Sequence, residues 1–338
     1  MSSQLVKMSK EMFEKRKSDP TLRERMRAAA KGQSPRFLLI SSMDHSQQDL
    51  QLLSLEQGDA FHATRVPRKP LMSASQSPFL FGGPAAYSSH FADRTGVIVT
   101  FEAAESDGVI QASLKAVSSH PDLKGVPLVA LRADYEAGTA RLVPHGLGRS
   151  YEVENLLMSR VRRPLPNDET TLVVICSDSR VEPPPTPRGV PMAIQCLGGY
   201  IPRFSGDADE TSVLNEFFAT WLSMPLKERH LIIVAHGDFE GEGQSCGAGM
   251  ASIHPNEVHS AILKHVIGRI DEDARRFENR PPSTPEERVQ SIARATQANL
   301  MTYPAIQSVL GSRASLESLI ETVLMDTVTN RMQELQTS

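Results

Sequence analysis

Cysteine is scarce in this 338-residue chain, with three in all, so no disulfide framework can staple it and each thiol is free for packing, metal or catalysis. No run of about 18 apolar residues occurs, so no membrane-inserted helix is expected. Basic residues are not in excess either: 36 Lys and Arg against 40 Asp and Glu leave a net charge of −4, the wrong balance for a nucleic-acid-binding domain. The first 31 residues lack the apolar core of a signal peptide, and a reducing cytoplasm is the expected location. What remains is ordinary globular material, 40% apolar and 22% charged. Single cores usually span roughly 100 to 200 residues, so the length predicts two units, or one unit built twice.

The opening stretch to Lys31 holds nine Lys or Arg against four Asp or Glu, with Leu5, Met8, Met12 and Phe13 at helical spacing and Pro20 before a second short helix. Its apolar stripe is too narrow for an interfacial helix, so it reads as a solvated arm packed on the rest. Short apolar runs follow at Phe37-Leu38-Leu39-Ile40, Val97-Ile98-Val99, Leu128-Val129-Ala130-Leu131, Leu172-Val173-Val174-Ile175 and Leu231-Ile232-Ile233-Val234. Such runs suit strands buried on both faces, and amphipathic patterns between most of them predict helical crossovers and a parallel α/β sheet. The proline-bearing stretch from Arg162 to Pro166 is a plausible joint.

The chain also repeats itself. Phe37-Leu38-Leu39-Ile40-Ser41-Ser42-Met43-Asp44 aligns with Thr171-Leu172-Val173-Val174-Ile175-Cys176-Ser177-Asp178, which sets Ser42 in the place of Cys176 and Ser46 in that of Arg180. Gly96-Val97-Ile98-Val99 resembles the run from His230 to Val234, and the run ending in Leu131-Arg132-Ala133-Asp134 matches the one ending in Val323-Leu324-Met325-Asp326. A duplication is the simplest account.

Chemistry is concentrated in the second copy. Cys176-Ser177-Asp178-Ser179-Arg180 directly follows a buried strand, where open α/β sheets place their functional loops. A later strand runs into His236, and Cys246 follows after a glycine-rich segment. Two thiolates and an imidazole suit zinc and leave a fourth position open, the pattern of a catalytic site. Such an ion would make hydroxide available at neutral pH. Asp178 is close enough to accept a hydrogen bond from that hydroxide or to ligate the metal itself, and Arg180 offers a planar fork to hold it. The stretch from Cys246 to Gly249 is a candidate helix start favouring a thiolate.

These residues resemble the β-class carbonic anhydrases, whose first signature Cys176-Ser177-Asp178-Ser179-Arg180-Val181 matches at every position. The resemblance covers most of residues 170 to 335 and, in decayed form, about 36 to 145. It implies Cys176, His236 and Cys246 as Zn2+ ligands, Asp178 and Arg180 as the catalytic pair, and reversible hydration of carbon dioxide to bicarbonate. It also implies a fold of tandem, mostly parallel sheets flanked by helices and joined as an intrachain pseudo-dimer. The expected division is an N-terminal helical arm (1–35), a degenerate repeat without metal ligands (36–150), a linker (151–169) and a zinc-binding repeat (170–338). Enzymes resembling this family build their sites at a dimer interface, so the inactive copy is expected to supply pocket walls, with further homo-oligomers or an assembly partner conceivable. Two alternatives remain: a noncatalytic assembly or bicarbonate-sensing protein, and a zinc hydrolase acting on carbon disulfide or carbonyl sulfide.

Two features depart from the family pattern. Nine residues separate His236 from Cys246 where two are usual, and the stretch from Ala193 to Pro202 replaces the usual Arg-Asn segment. In the first copy, Ser42 cannot act as a thiolate, Ser46 cannot clamp Asp44, and the loop from Phe101 to Gly108 has neither His nor Cys. Among the remaining candidates, Cys196 reads as a small buried residue and His45 as a relic. His254, His259 and His265 read as solvent-facing or capping, with His254 a conceivable proton shuttle. Glu240 and Glu242 read as solvating the loop, with reach to the metal as the alternative.

Overall fold

A computed structural model describes residues 1–91, 94–226, 228–241, 243–254, 258, 260–310 and 319–335. Two helices open the chain, α1 (Ser2–Ser18) and α2 (Pro20–Ala30). The first half continues as β1 (Phe37–Ser42), α3 (Ser46–Leu52), β2 (Ala60–Arg65), α4 (Gly83–His90), β3 (Gly96–Glu102), α5 (Asp107–Ser118), β4 (Leu128–Asp134), β5 (Thr139–Leu142) and α6 (Tyr151–Met158). The second holds β6 (Asn167–Cys176), β7 (Val190–Cys196), α7 (Asp209–Ser223), β8 (His230–Gly237), α8 (Gly247–Ile253), α9 (Ala261–Arg275), α10 (Pro285–Leu300), α11 (Pro304–Leu310), β9 (Ile320–Asp326) and β10 (Met332–Glu334).

The two sheets are topological copies. One runs β2-β1-β3-β4-β5 and the other, read from its opposite end, β7-β6-β8-β9-β10. In each, the first four strands are parallel and the last pairs antiparallel. Strand register repeats too: Phe37 pairs with Gly96 as Thr171 pairs with His230, which confirms the alignment read from the sequence. Every predicted apolar run lies in a strand, and every residue of β1 is buried.

Side-chain alternation divides the core. Leu38, Ile40, Val97 and Val99 of one sheet join Val173, Ile175, Ile232 and Val234 of the other in a single shared cluster. The intervening residues turn to each half's own helices: Phe37 and Leu39 meet Leu53 and Leu157, while Leu172 and Val174 meet Phe218 and Trp221. Each fully buried aliphatic side chain contributes roughly 1.5 to 3 kcal/mol of transfer free energy, so the central layer binds the halves strongly.

Backbone pairing across the halves is itself twofold. His62 N donates to Ser177 O (3.0 Å) and, equivalently, Ala193 N donates to Met43 O (3.0 Å). On the pseudo-axis, Gln195 N donates to Thr64 Oγ1 (3.0 Å). The sequence pattern does not announce β2, because its buried side chains include His62 and Arg65, polar residues whose partners come only from the tertiary surroundings: His62 Nε2 bonds Ser41 Oγ, and Arg65 Nη2 meets Glu105. Strands β5, β7 and β10 are likewise absent from the periodicity reading.

Residues 151–169 hold α6, packed on the first sheet through Val153 and Leu157, and the start of β6. The arm packs as expected: Asp19 Oδ1 caps α2, accepting from Thr21 N at 2.8 Å, and Pro20 sets its first turn. Leu5 is fully buried, Met332 N donates to Ser9 Oγ (2.8 Å), and Arg16 pairs with Glu182 (2.9 Å). No helix among the described residues is long and apolar enough to cross a membrane.

Candidate metal centre

Strand ends build the site. Cys176 is the last residue of β6, and His236 is the penultimate residue of the neighbouring β8. The loop between His236 and Cys246 folds back rather than wandering outward. Gly243 N donates to Asp238 Oδ1 (3.1 Å), Glu240 N to Asp326 Oδ2 (3.1 Å), and Gln244 Nε2 to Lys31 O (3.1 Å). Cys246 is thereby delivered as the N-cap of α8, the predicted helix start.

The ligand atoms of Cys176, His236 and Cys246 all lie within 4.8 Å of one another, and all three residues are buried. The two sulfurs are 3.9 Å apart. Two zinc–sulfur bonds of about 2.3 Å at a tetrahedral angle would set sulfurs roughly 3.8 Å apart, so the long loop keeps a spacing that fits zinc. His236 Nδ1 hydrogen-bonds Thr327 Oγ1 (3.0 Å), and its Nε2 is buried with no hydrogen-bond partner. Such an orphan nitrogen costs free energy unless something fills its lone pair. Gly198 N donates to Cys176 Sγ (3.2 Å); its φ of +67° is a left-handed turn that favours glycine.

Hydrogen bonding from Cys176 and the charge of His236 hold Cys246 well below the usual thiol range, while burial pushes Cys176 well above it. For Asp178, burial pushes its carboxyl up, but the neighbouring Arg180 outweighs this and holds it below the usual range. Arg180 Nη2 reaches Asp178 Oδ2 at 2.6 Å, and Nε reaches Oδ1 at 2.9 Å. The same guanidinium donates to Gln244 O (3.1 Å) and Ser245 O (3.0 Å), the two carbonyls preceding Cys246. Arg180 is therefore both clamp and strut. Asp178 faces Arg180 and is not within the three-donor group.

A cavity of about 70 Å³ opens beside Cys176 and Asp178. Its walls are mostly apolar and come from both halves, Leu197, Ala248 and Ile267 from the second, Phe61, Ala86 and Phe91 from the first, with Gln33 of the arm's tail at the side. Sequence reading anticipated walls from the first copy, but not which residues. It missed Thr327 and Gly198 as well; the pair Gly198-Gly199 beside a strand end was the available signal.

The remaining candidates fall outside the donor group. Cys196 Sγ donates to Tyr200 O (3.2 Å) in the core. His254 is exposed at the end of α8, and His265 is exposed on α9. Glu240 pairs with Arg331 (3.1 Å). His259 and Glu242 lie outside the described residues.

No family model and no curated protein matches the chain. Among solved structures, the β-carbonic anhydrase CcaA is similar at 20% identity over 50% of this chain and 78% of its own, with a TM-score of 0.35. A chain from the crystal structures of two tetrameric β-carbonic anhydrases of the ascomycete Sordaria macrospora gives 18% identity over 50% and 81%, with a TM-score of 0.34. The apo form of a carbon disulfide hydrolase gives 15% identity over 52% and 82%, with a TM-score of 0.22. At these scores the alignments carry no weight of their own. The repeated α/β sheets and the strand-end signature resemble those of the β-class carbonic anhydrases.

Proposed function

We propose that the chain is a zinc enzyme that hydrates carbon dioxide reversibly to bicarbonate, with Cys176, His236 and Cys246 as the ligands and Asp178 with Arg180 as the catalytic pair. One observation carries this reading: two sulfurs 3.9 Å apart and an orphaned imidazole nitrogen converge, and one of those cysteines, Cys176, lines a small, mostly apolar cavity together with Asp178. When bound, zinc lowers the pKa of water from about 15.7 to about 7 and so supplies hydroxide at neutral pH.

The chain's own residues do the rest. His236 is fixed in orientation by Thr327, as ligating imidazoles usually are by a partner on the second nitrogen. Asp178 keeps an acceptor position on Oδ2 beyond the single bond from Arg180, so it can take a hydrogen bond from a group in the cavity. Arg180 keeps that carboxylate ionised and holds the backbone leading into Cys246. Phe61, Ala86 and Phe91 exclude bulk water from a space suited to a small, uncharged substrate. In this reading residues 36–150 serve as the permanent, noncatalytic partner of residues 170–338.

The test is metal analysis joined to stopped-flow hydration between about pH 7 and about pH 9, the range around which zinc-bound water titrates. One zinc per chain and zinc-dependent hydration support the proposal. A flat, zinc-independent baseline throughout would sink it. Carbon disulfide and carbonyl sulfide, assayed alongside, separate the hydrolase alternative.

A further inference from the structure

Ser42, Ser46 and a loop without His or Cys predict a first repeat with no donors, yet its strand ends are not bare. Register sets Glu102 six residues beyond Gly96, as His236 stands six beyond His230, so Glu102 occupies the position of the metal-centre histidine. There it meets two residues that follow β1. The ligand atoms of Asp44, His45 and Glu102 all lie within 4.8 Å of one another. His45 Nε2 is 2.7 Å from Glu102 Oε1 and 3.8 Å from Asp44 Oδ2.

The surroundings orient each donor. Gln48 Oε1 accepts from His45 Nδ1 at 2.6 Å, which fixes that proton and points Nε2 at the two carboxylates. Tyr135 stacks on the imidazole with ring centroids 4.2 Å apart. Ser42 Oγ, in the place of Cys176, donates to Asp44 Oδ1 (2.5 Å) and leaves Oδ2 to face His45. Asn167 donates to Asp44 O through Nδ2, and its Oδ1 is a buried acceptor with no partner. His45 and Glu102, with Gln48, Tyr135 and Asn167, line a cavity of about 720 Å³, roomy enough for several waters. Arg68 approaches Glu102 only at 3.8 Å and is largely exposed.

We propose that Asp44, His45 and Glu102 form a second divalent-cation site, at the position in the first repeat that matches the metal centre of the other. The donor set has moved from sulfur and nitrogen to two carboxylate oxygens and one nitrogen. Carboxylate and water ligands suit hard divalent ions such as Mn2+ and Mg2+, and the open cavity supplies water for the remaining positions. Binding displaces the proton that His45 Nε2 shares with Glu102 in the metal-free chain.

The site does not depend on the zinc reading, and its test is a binding measurement. Purified full-length protein is titrated with Mn2+, the free ion followed by its electron paramagnetic resonance signal. The expected result is one Mn2+ per chain, with Cys176→Ser leaving the affinity within about twofold and Glu102→Gln weakening it by about 10-fold or more. Asp44→Asn provides a second variant should Glu102→Gln unfold, as judged by circular dichroism. Absence of stoichiometric Mn2+ binding, or binding untouched by folded Glu102→Gln or Asp44→Asn, overturns the proposal. Binding lost in Cys176→Ser but kept in Glu102→Gln overturns it too, since it would place the ion at the sulfur site.

Discussion

The two halves share one scaffold and carry opposite chemistry at the same strand ends. Cys176 faces Ser42 across the pseudo-axis in kind, His236 faces Glu102, Arg180 faces Ser46, and Cys196 corresponds by register to Arg65. Neither set disturbs the sheets, because the apolar strand interiors that hold the fold end where the functional residues begin. Most of the stabilising side chains, Cys176 and Cys246 excepted, are not the functional ones, so one copy could change its donors without losing its strands. The first half even tolerates a buried ion pair where the second has a thiol: Arg65 Nη2 meets both carboxylate oxygens of Glu105 (2.8 and 2.9 Å).

The sharpest way to break this comparison is at the donors. Cys176→Ser or Cys246→Ser is expected to abolish zinc binding and take hydration to the uncatalysed rate, while Ser42→Ala changes neither; metal analysis and stopped-flow assays read both. Next comes the acid–base pair. Asp178→Asn should keep zinc yet lower kcat roughly 10²- to 10⁴-fold, whereas Asp44→Asn leaves turnover intact. Arg180→Ala is expected to lose both turnover and zinc affinity, because the carbonyls of Gln244 and Ser245 lose their strut.

Stability separates the halves next. Arg65→Met strands Glu105 as a buried charge and should cost about 3 to 5 kcal/mol in denaturant unfolding, with the double change to Met and Leu recovering most of it. Cys196→Val at the matching position should cost less than about 1.5 kcal/mol. Equal costs would mean that the two copies resist substitution alike.

The smallest effect concerns the arm. Burial would raise the Glu321 carboxyl, but bonds from His230 and Ser2 and the charge of the N-terminus bring it down to about 2. A carboxyl lowered from 4.5 contributes stability that is present above about pH 4.5 and lost as pH falls toward about 2. Limited proteolysis within α1 should therefore accelerate below about pH 4, and Glu321→Gln should flatten that dependence.

Much of the fold was legible because strands buried on both faces read as short apolar runs, and because the copies align residue by residue from Phe37 and from Thr171. The three-donor set was legible for a different reason: cysteine and histidine at strand ends and beside a helix start have few structural uses. Thr327, 91 residues from His236, left no local trace, and nor did Glu102, 57 residues from His45. Their roles arise from register across neighbouring strands, which a carboxylate or hydroxyl at or just beyond a strand end does not advertise.

By itself the sequence determined the alternation of strand and helix, the duplication, and which side chains are chemically able to hold a soft metal, since those follow from periodicity and residue type. Only the tertiary structure decided that a nine-residue loop returns Cys246 to 3.9 Å from Cys176, that Arg180 braces that loop, and that the first half walls the cavity. Distances between strand ends depend on long-range packing of two sheets around one core, and local sequence carries no term for that.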